Sequence, residues 1–554
     1  MYMEKLHIKE KIMKKYTIIT AAIVLSIIMS SMLMLNAKKV KSLPWLTVDG
    51  EKIVQEKNGK TVILHGINFH HFYWEQENEK DLGWDIYTEP GDYAMVAKWG
   101  CNLIRLGFGA DFFYPEHGNK PDEAWAYYDK FIQKCTEKGI YVILDMHQAP
   151  GSQDIDPLNN EFWFKEDMQN RLVELWRNMA QRYADNPTVL GYDIYNEAVA
   201  PEDEMYWNLI DRIIEGIRTV DTKHILIIEP NDFGELRKIA DEKVMYSFHC
   251  YEPFIVTHAG ADWMADVPMM SEGYAYPGLV PVEIADIESS WENGQYISQN
   301  YSDWKKISFE VVAPEKAQLL LIDFEAQNGT VDASFRDITV LKNGRDVSLA
   351  HYKLENHSFS DETKPRCWEF EAEEGGFIGT WKTGELSISG TGSSASWVSS
   401  GWWFFDDYVK VKAGDRITVN CEIKTKLSDN AQVGIIPVFL YKKIEEFNRD
   451  RLAQEFEGYL HWADENNVPL YMGEYGCSGF SSSSRGRYIT DIISICNEHS
   501  MPSTLWCFRE DDDDPAKLTS FGLVEGVNYS REHESIDKES VKALKKACKG
   551  NTKF

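Results

Sequence analysis

The sequence predicts an α/β protein, a (β/α)8 TIM barrel with a jelly-roll-like β-sandwich inserted between its sixth and seventh strands. Three observations predict it. Eight short apolar runs alternate with amphipathic stretches of helical period, the pattern of parallel strands joined by crossover helices. The rhythm breaks once, over residues 286–441, where period-2 runs separated by Gly, Asn, Asp and Ser take over, as in a sandwich. Polar and aromatic residues recur at the carboxyl ends of the eight runs, the end at which such barrels carry their chemistry.

Residues 1–40 precede the barrel. Lys5, Lys9, Lys11, Lys14 and Lys15 lead into the apolar run Thr17 to Leu35, TIITAAIVLSIIMSSMLML. Basic then apolar residues in this order form an export signal, and the run approaches the roughly 20 residues that span a bilayer. A cleaved signal peptide and a retained N-terminal membrane anchor both fit. Either puts the protein outside the cell or on its surface, with membrane attachment expected through this segment alone.

The barrel is expected in residues 41–285 and 442–554. Its strands are read at 61–69, 101–109, 140–147, 189–197, 224–230, 244–251, 468–476 and 503–510. Helical period is clearest at 171–183, 205–220, 485–498 and 535–549, and resumes after the insertion at 443–465. In the insertion, runs such as AQLLLIDFEA, DASFRDITV and DRITVNCEIK alternate apolar with polar residues, so each fits a half-buried strand. Nine cysteines show no C-x-x-C spacing, which argues against a zinc cage and a disulfide scaffold. The formal charge of −30 argues against nucleic acid as a partner. Aromatics make up 13% of the chain, with 18 Trp and 27 Tyr, a composition suited to stacking on flat, amphipathic ligands such as sugars.

Read in order, the strand ends present Arg105; Asp145 and His147; Asn196 and Glu197; His249 and Tyr251; Glu474; and Trp506. One strand-end histidine or glutamate is usually structural. So many polar groups at one end of a barrel are costly to hold unless they are used. Two glutamates ending the fourth and seventh strands are the equipment for glycoside hydrolysis, in which one carboxyl protonates the leaving oxygen while the other attacks the anomeric carbon or activates water. Without the insertion about 120 residues separate them, close to three β/α units.

On Arg105, His147, Asn196-Glu197, His249-Cys250-Tyr251, Glu474 and Trp506, the chain resembles glycoside hydrolase family 5, the cellulase-type retaining glycosidases, over 45–285 and 442–550. The resemblance implies that Glu197 is the general acid/base and Glu474 the nucleophile of a double displacement, with carboxyls roughly 5 to 5.5 Å apart. It implies a β-linked polysaccharide or oligosaccharide as substrate and no cofactor or metal. Arg105 can hydrogen-bond and aim Glu474, Asn196 can donate to the sugar 2-hydroxyl, and Tyr251 can reach the nucleophile. His249 and His147 can bind sugar hydroxyls or tune the acid, and Trp506 offers a floor for the ring. Ala198 stands where the family usually has proline, a position that shapes the loop and supplies no chemical group.

Several readings stay open on the sequence. The stretch 147–153, HQAPGSQ, resembles the exo-β-1,3-glucanase branch, whereas the framework is similar to endo-β-1,4-glucanases. A hydrolase of β-mannan or of a glycolipid head group would use the same residues, and a carbohydrate-binding protein without activity is a rival of another class. His70 to Trp74 can line the cleft or pack on the barrel. Asp511 to Asp514 can be a solvated acidic loop or hold calcium. The insertion weakly resembles a carbohydrate-binding module, with 331–340 and 409–418 in the order of a permuted sandwich. Trp397 and Trp402 to Phe405 can either stack on sugar or pack between domains.

Overall fold

The computed structural model describes residues 42–71, 90–116, 120–151, 160–258, 261, 274–348, 368–372, 376–382, 384–399, 409–478, 482–512, 521–527 and 530–554. Eight parallel strands close a barrel: β1 (His65–His71), β2 (Leu103–Gly109), β3 (Tyr141–Gln148), β4 (Val189–Asp193), β5 (Ile225–Ile228), β6 (Val244–Cys250), β7 (Leu470–Tyr475) and β8 (Ser503–Leu505). β8 closes onto β1 through Ser503 beside His65, Thr504 beside Gly66 and Leu505 beside Ile67. All eight predicted runs supply barrel strands. Strands β2 and β4 to β7 are buried along nearly their whole length, which is why they read as continuous apolar runs instead of alternating ones.

The helices pack against this barrel through stripes of helical spacing. Glu166–Tyr183 buries Leu172, Leu175, Trp176, Met179, Ala180 and Tyr183, and Asp203–Arg218 buries a similar stripe from Tyr206 to Ile217. Each large side chain moved from water into that layer contributes roughly 1.5–3 kcal/mol. The base of the barrel, at the amino ends of the strands, is closed by the hairpin Leu46–Asp49 with Lys52–Gln55. Leu43, Leu46, Ile53, Tyr141 and Tyr471 cluster there, with Phe554 against them.

The described residues of 278–447 form an eleven-stranded sheet with its own apolar core. Its central strand, Leu319–Lys342, lies between Glu385–Val398 on one side and Gln432–Phe447 followed by Arg416–Leu427 on the other. Core residues on this strand are even-numbered from Leu320 to Ala326 and odd-numbered from Val331 to Phe335. Asn328 and Gly329, both at positive φ, shift the alternation by one residue. Residues 331–342 pair directly with 417–427.

Four expectations change. The stretch 443–465 is not helical throughout. The strand Gln432–Phe447 continues to 447 because it pairs antiparallel with Gly278–Asp286, and helices begin only at Arg449, capped by the Asn448 side chain. This ribbon also runs across the expected domain boundaries at 286 and 441. The strand end at 189–197 is shorter, since β4 stops at Asp193. The eighth run divides into β8 and a separate strand, Arg509–Asp512, which pairs with Val524–Val527. Trp397 is a core residue, 1% exposed, donating from Nε1 to the Ser387 carbonyl at 2.9 Å, so it packs and offers no sugar face. Residues 1–40, Phe72 to Trp74, Trp402 to Phe405 and Asp513–Asp514 lie outside the described residues. Among those described, no helix is long and apolar enough to cross a membrane.

Candidate active site

Arg105 is the hub of the site. It sits on β2 facing the barrel interior and is fully buried, where a guanidinium must find partners for its donors. Its Nε donates to Asp193 Oδ2 at 2.8 Å, Nη1 to Glu474 Oε1 at 2.7 Å and Nη2 to Asn196 Oδ1 at 2.7 Å. Nη1 also lies 3.1 Å from Asp145 Oδ2, and Nη2 3.2 Å from Glu229 Oε1. Asn68 of β1 accepts from Nη1 at 3.3 Å and donates to the Gly473 and Thr504 carbonyls. A planar fork with fixed donor directions suits these simultaneous partners, as an ammonium would not.

Glu474, near the end of β7, is gripped on both oxygens: Arg105 donates to Oε1, and Tyr251 Oη donates to Oε2 at 2.8 Å. Opposite it stands Glu197, four residues past the end of β4 and held at φ 41°, a sparsely populated conformation for a residue other than glycine. Its backbone N–H donates to Glu229 Oε2 at 2.7 Å. The Glu197 side chain is 34% exposed, that of Glu474 6%, so the first faces the opening and the second the barrel interior. Glu197, His249 and Glu474 each offer one atom within 4.8 Å of the others, the one such grouping among the described residues. Each of the three already has a hydrogen-bonded partner.

His249 bridges the acids. Its Nδ1 lies 2.6 Å from Glu197 Oε1 and 3.9 Å from Glu474 Oε2, and its Nε2 lies 3.2 Å from Glu229 Oε1. Burial favours the neutral ring, but Glu229, Glu474 and Glu197 outweigh it and push the imidazole well above its ordinary value. Burial would likewise raise Glu229, yet His249, Arg105 and the Glu197 amide hold it at about 2. Asp145 goes the other way, since burial outweighs Arg105 and brings it up to about 7. His147 is pressed down to about 4, chiefly by burial. Its Nδ1 meets Asp145 Oδ2 at 2.9 Å, and its Nε2 lies 3.5 Å from Asn196 Nδ2. Asn196 is thereby oriented, with its oxygen toward Arg105 and its amide nitrogen toward His147.

Trp506, just past β8, is 7% exposed. Its ring lies near-parallel to His147, centroids 5.2 Å apart, and to His70 at 5.9 Å. The structure thus brings Arg105, His147, Asn196, Glu197, His249, Tyr251, Glu474 and Trp506 to one end of the barrel. Four residues without an assigned role join them: Asn68, Asp145, Asp193 and Glu229. Glu229 had a readable signal, a carboxylate directly after the apolar run ILII, the same position that marks Glu197 and Glu474.

Residues 55–307 match the cellulase family, glycosyl hydrolase family 5. The cellulase-family match spans β1 to β6 and includes Arg105, Glu197, His249 and Tyr251, while β7 and β8 add Glu474 and Trp506 from outside it. Among curated relatives, Endoglucanase C of Acetivibrio thermocellus is 27% identical over 202 residues, 35% of this chain and 59% of that protein. This chain therefore spans 59% of that relative's length. An endoglucanase of Paenibacillus polymyxa is 24% identical over 383 residues, 58% of this chain and 93% of that protein. Among solved structures, Thermotoga maritima Cel5A in complex with a mannotriose substrate is 14% identical, with TM-score 0.43 over 87% of this chain and 97% of that one.

Proposed function

We propose that this chain is an exported, retaining glycoside hydrolase that cleaves β-glucosidic bonds of a β-glucan. The observation that carries the reading is the pair Glu197 and Glu474, with side-chain atoms within 4.8 Å and different supports. A short gap suits direct attack by one carboxylate, whereas an attacking water needs roughly 6.5–9.5 Å between carboxyls. Glu474, clamped by Arg105 and Tyr251, is the nucleophile that attacks the anomeric carbon. Glu197, facing the opening beside His249, protonates the leaving oxygen, then takes a proton from the water that releases the glycosyl-enzyme. Asn196 presents its amide to the sugar 2-hydroxyl, and Trp506 with His147 forms the wall against the ring. The endoglucanase relatives support glucan as the substrate class.

Glu474→Gln tests the assignment. The expected result is a turnover loss on the order of 10⁴-fold or more, with binding of an oligosaccharide kept. Unchanged turnover removes Glu474 from the mechanism. Wild-type chain offered β-1,4-glucan, β-1,3-glucan, mixed-linkage glucan and β-mannan is expected to release products from a glucan, and the first-formed product should keep the β-anomeric configuration by NMR. Initial α-product would mean inversion.

A further inference from the structure

We propose that the base of the barrel, with the lysine stripe on the helix Lys538–Ala547, docks onto an anionic lipid bilayer. The chain has a formal charge of −30, yet residues 538–554 hold six lysines against one glutamate, and residues 1–40 seven lysines against two glutamates. The residues between carry a net charge of about −40, a field that repels anionic surfaces everywhere else.

Lys538, Lys542, Lys545, Lys546 and Lys549 follow helical spacing and line one cleft, whose apolar wall includes Ile536, 39% exposed. Lys542 faces Glu539 at 3.8 Å, whereas none of the other four pairs with a carboxylate among the described residues. Unpaired cations beside exposed apolar surface in so acidic a protein are what an anionic headgroup layer would bind.

The helix leads to the barrel base. Beyond Cys548–Gly550, the Asn551 side chain donates to the His65 and Gly100 carbonyls, at 2.9 Å each, and the Thr552 N–H donates to the Ile63 carbonyl at 3.0 Å. These lie at or just before the amino ends of β1 and β2. The chain enters the fold at the same end, where Leu43, Leu46 and Phe554 pack together. Ser42 comes seven positions after Leu35, the last of the apolar run, and the six residues between include Lys38, Lys39 and Lys41. Seven residues reach at most about 25 Å, so a run held in a bilayer keeps the base, and not the catalytic end, against it. The catalytic end then opens away from the membrane toward polymer. This inference rests on the retained-anchor reading of residues 1–40.

The test uses the full chain reconstituted into vesicles of phosphatidylcholine alone, or with roughly one-third phosphatidylglycerol. Hydrogen exchange over residues 538–550 should slow severalfold in the anionic vesicles and recover in about 0.5 M salt. Combined K545E, K546E and K549E should abolish that slowing while turnover of a soluble substrate stays unchanged. Extraction of the chain by alkaline carbonate would overturn the anchor and the docking together. A retained chain with equal exchange in both lipids, or slowing that survives the lysine substitutions, would overturn the docking alone. Protection by soluble polyphosphate but not by anionic vesicles would assign the surface to a polymer and reject the bilayer.

Discussion

A guanidinium surrounded by carboxyls is a residue-scale device with a measurable cost. Asp145, Asp193, Glu229 and Glu474 all lie within 3.2 Å of Arg105, and burial already pushes Asp145 up to about 7. Arg105→Met would leave these carboxyls without their shared cation, and breaking a buried ion pair in this way costs about 3–5 kcal/mol. The expected outcome is a lowered urea midpoint together with lost turnover; a stability unchanged from wild type would contradict the hub. Glu197 and Glu474 were legible in the sequence because each follows an apolar run, and Arg105 because a charge inside such a run needs a reason. Asp193 was hidden in VLGYDIYNE, where Asn196 and Glu197 drew the chemical interpretation. Asn68 had no signal at all, because an amide inside INF becomes meaningful only when the barrel brings it to Arg105.

At the scale of elements, one strand shows how packing places the chemistry. Gly473 precedes Glu474 on β7, and a Cβ there would sit 2.7 Å from Ser247 Oγ and 2.8 Å from His249 Nε2, closer than real Cβ atoms come. The missing side chain lets the His249 ring lie against β7 while its other nitrogen reaches Glu197. Gly473→Ala is expected to keep the fold but to move His249, and with it its partner Glu197, lowering kcat by about 10- to 100-fold and altering the pH–rate profile. A variant with wild-type kcat and profile would show that this contact is incidental. Element types were largely readable, since the barrel strands and flanking helices follow their periods. The failure at 443–447 has a physical cause: KKIEE carries alternating charge that fits a helix face, but the backbone groups of Gly278–Asp286 were available for pairing, and tertiary pairing overrode local pattern.

For the whole molecule, the buried His65 contributes to the acid response. His65 lies at the barrel base, bonded to Ser503 Oγ at 2.7 Å and Asn497 Oδ1 at 3.2 Å, and burial lowers it to about 4. A histidine lowered on folding contributes stability that is present above its unfolded value and lost as pH falls through its folded one. The window runs from 6.5 down to about 4, and the full effect is at most about 3 kcal/mol. His65→Asn should therefore lose about 2 kcal/mol less than wild type between pH 7 and pH 5 in denaturant titrations; equal losses would mean that His65 does not titrate in this window. The sequence by itself determined the strand and helix periods, the two carboxylates at strand ends and the concentration of positive charge in residues 1–40 and 538–554, because periodicity, residue type and charge are local properties. Only the tertiary structure decided that Arg105 holds four carboxyls at once, that Glu229 and Asn68 belong to the site, and that the lysine-bearing helix ends at the barrel base, where the chain enters. Those facts depend on the register and closure of strands up to several hundred residues apart, which no local property of the chain encodes.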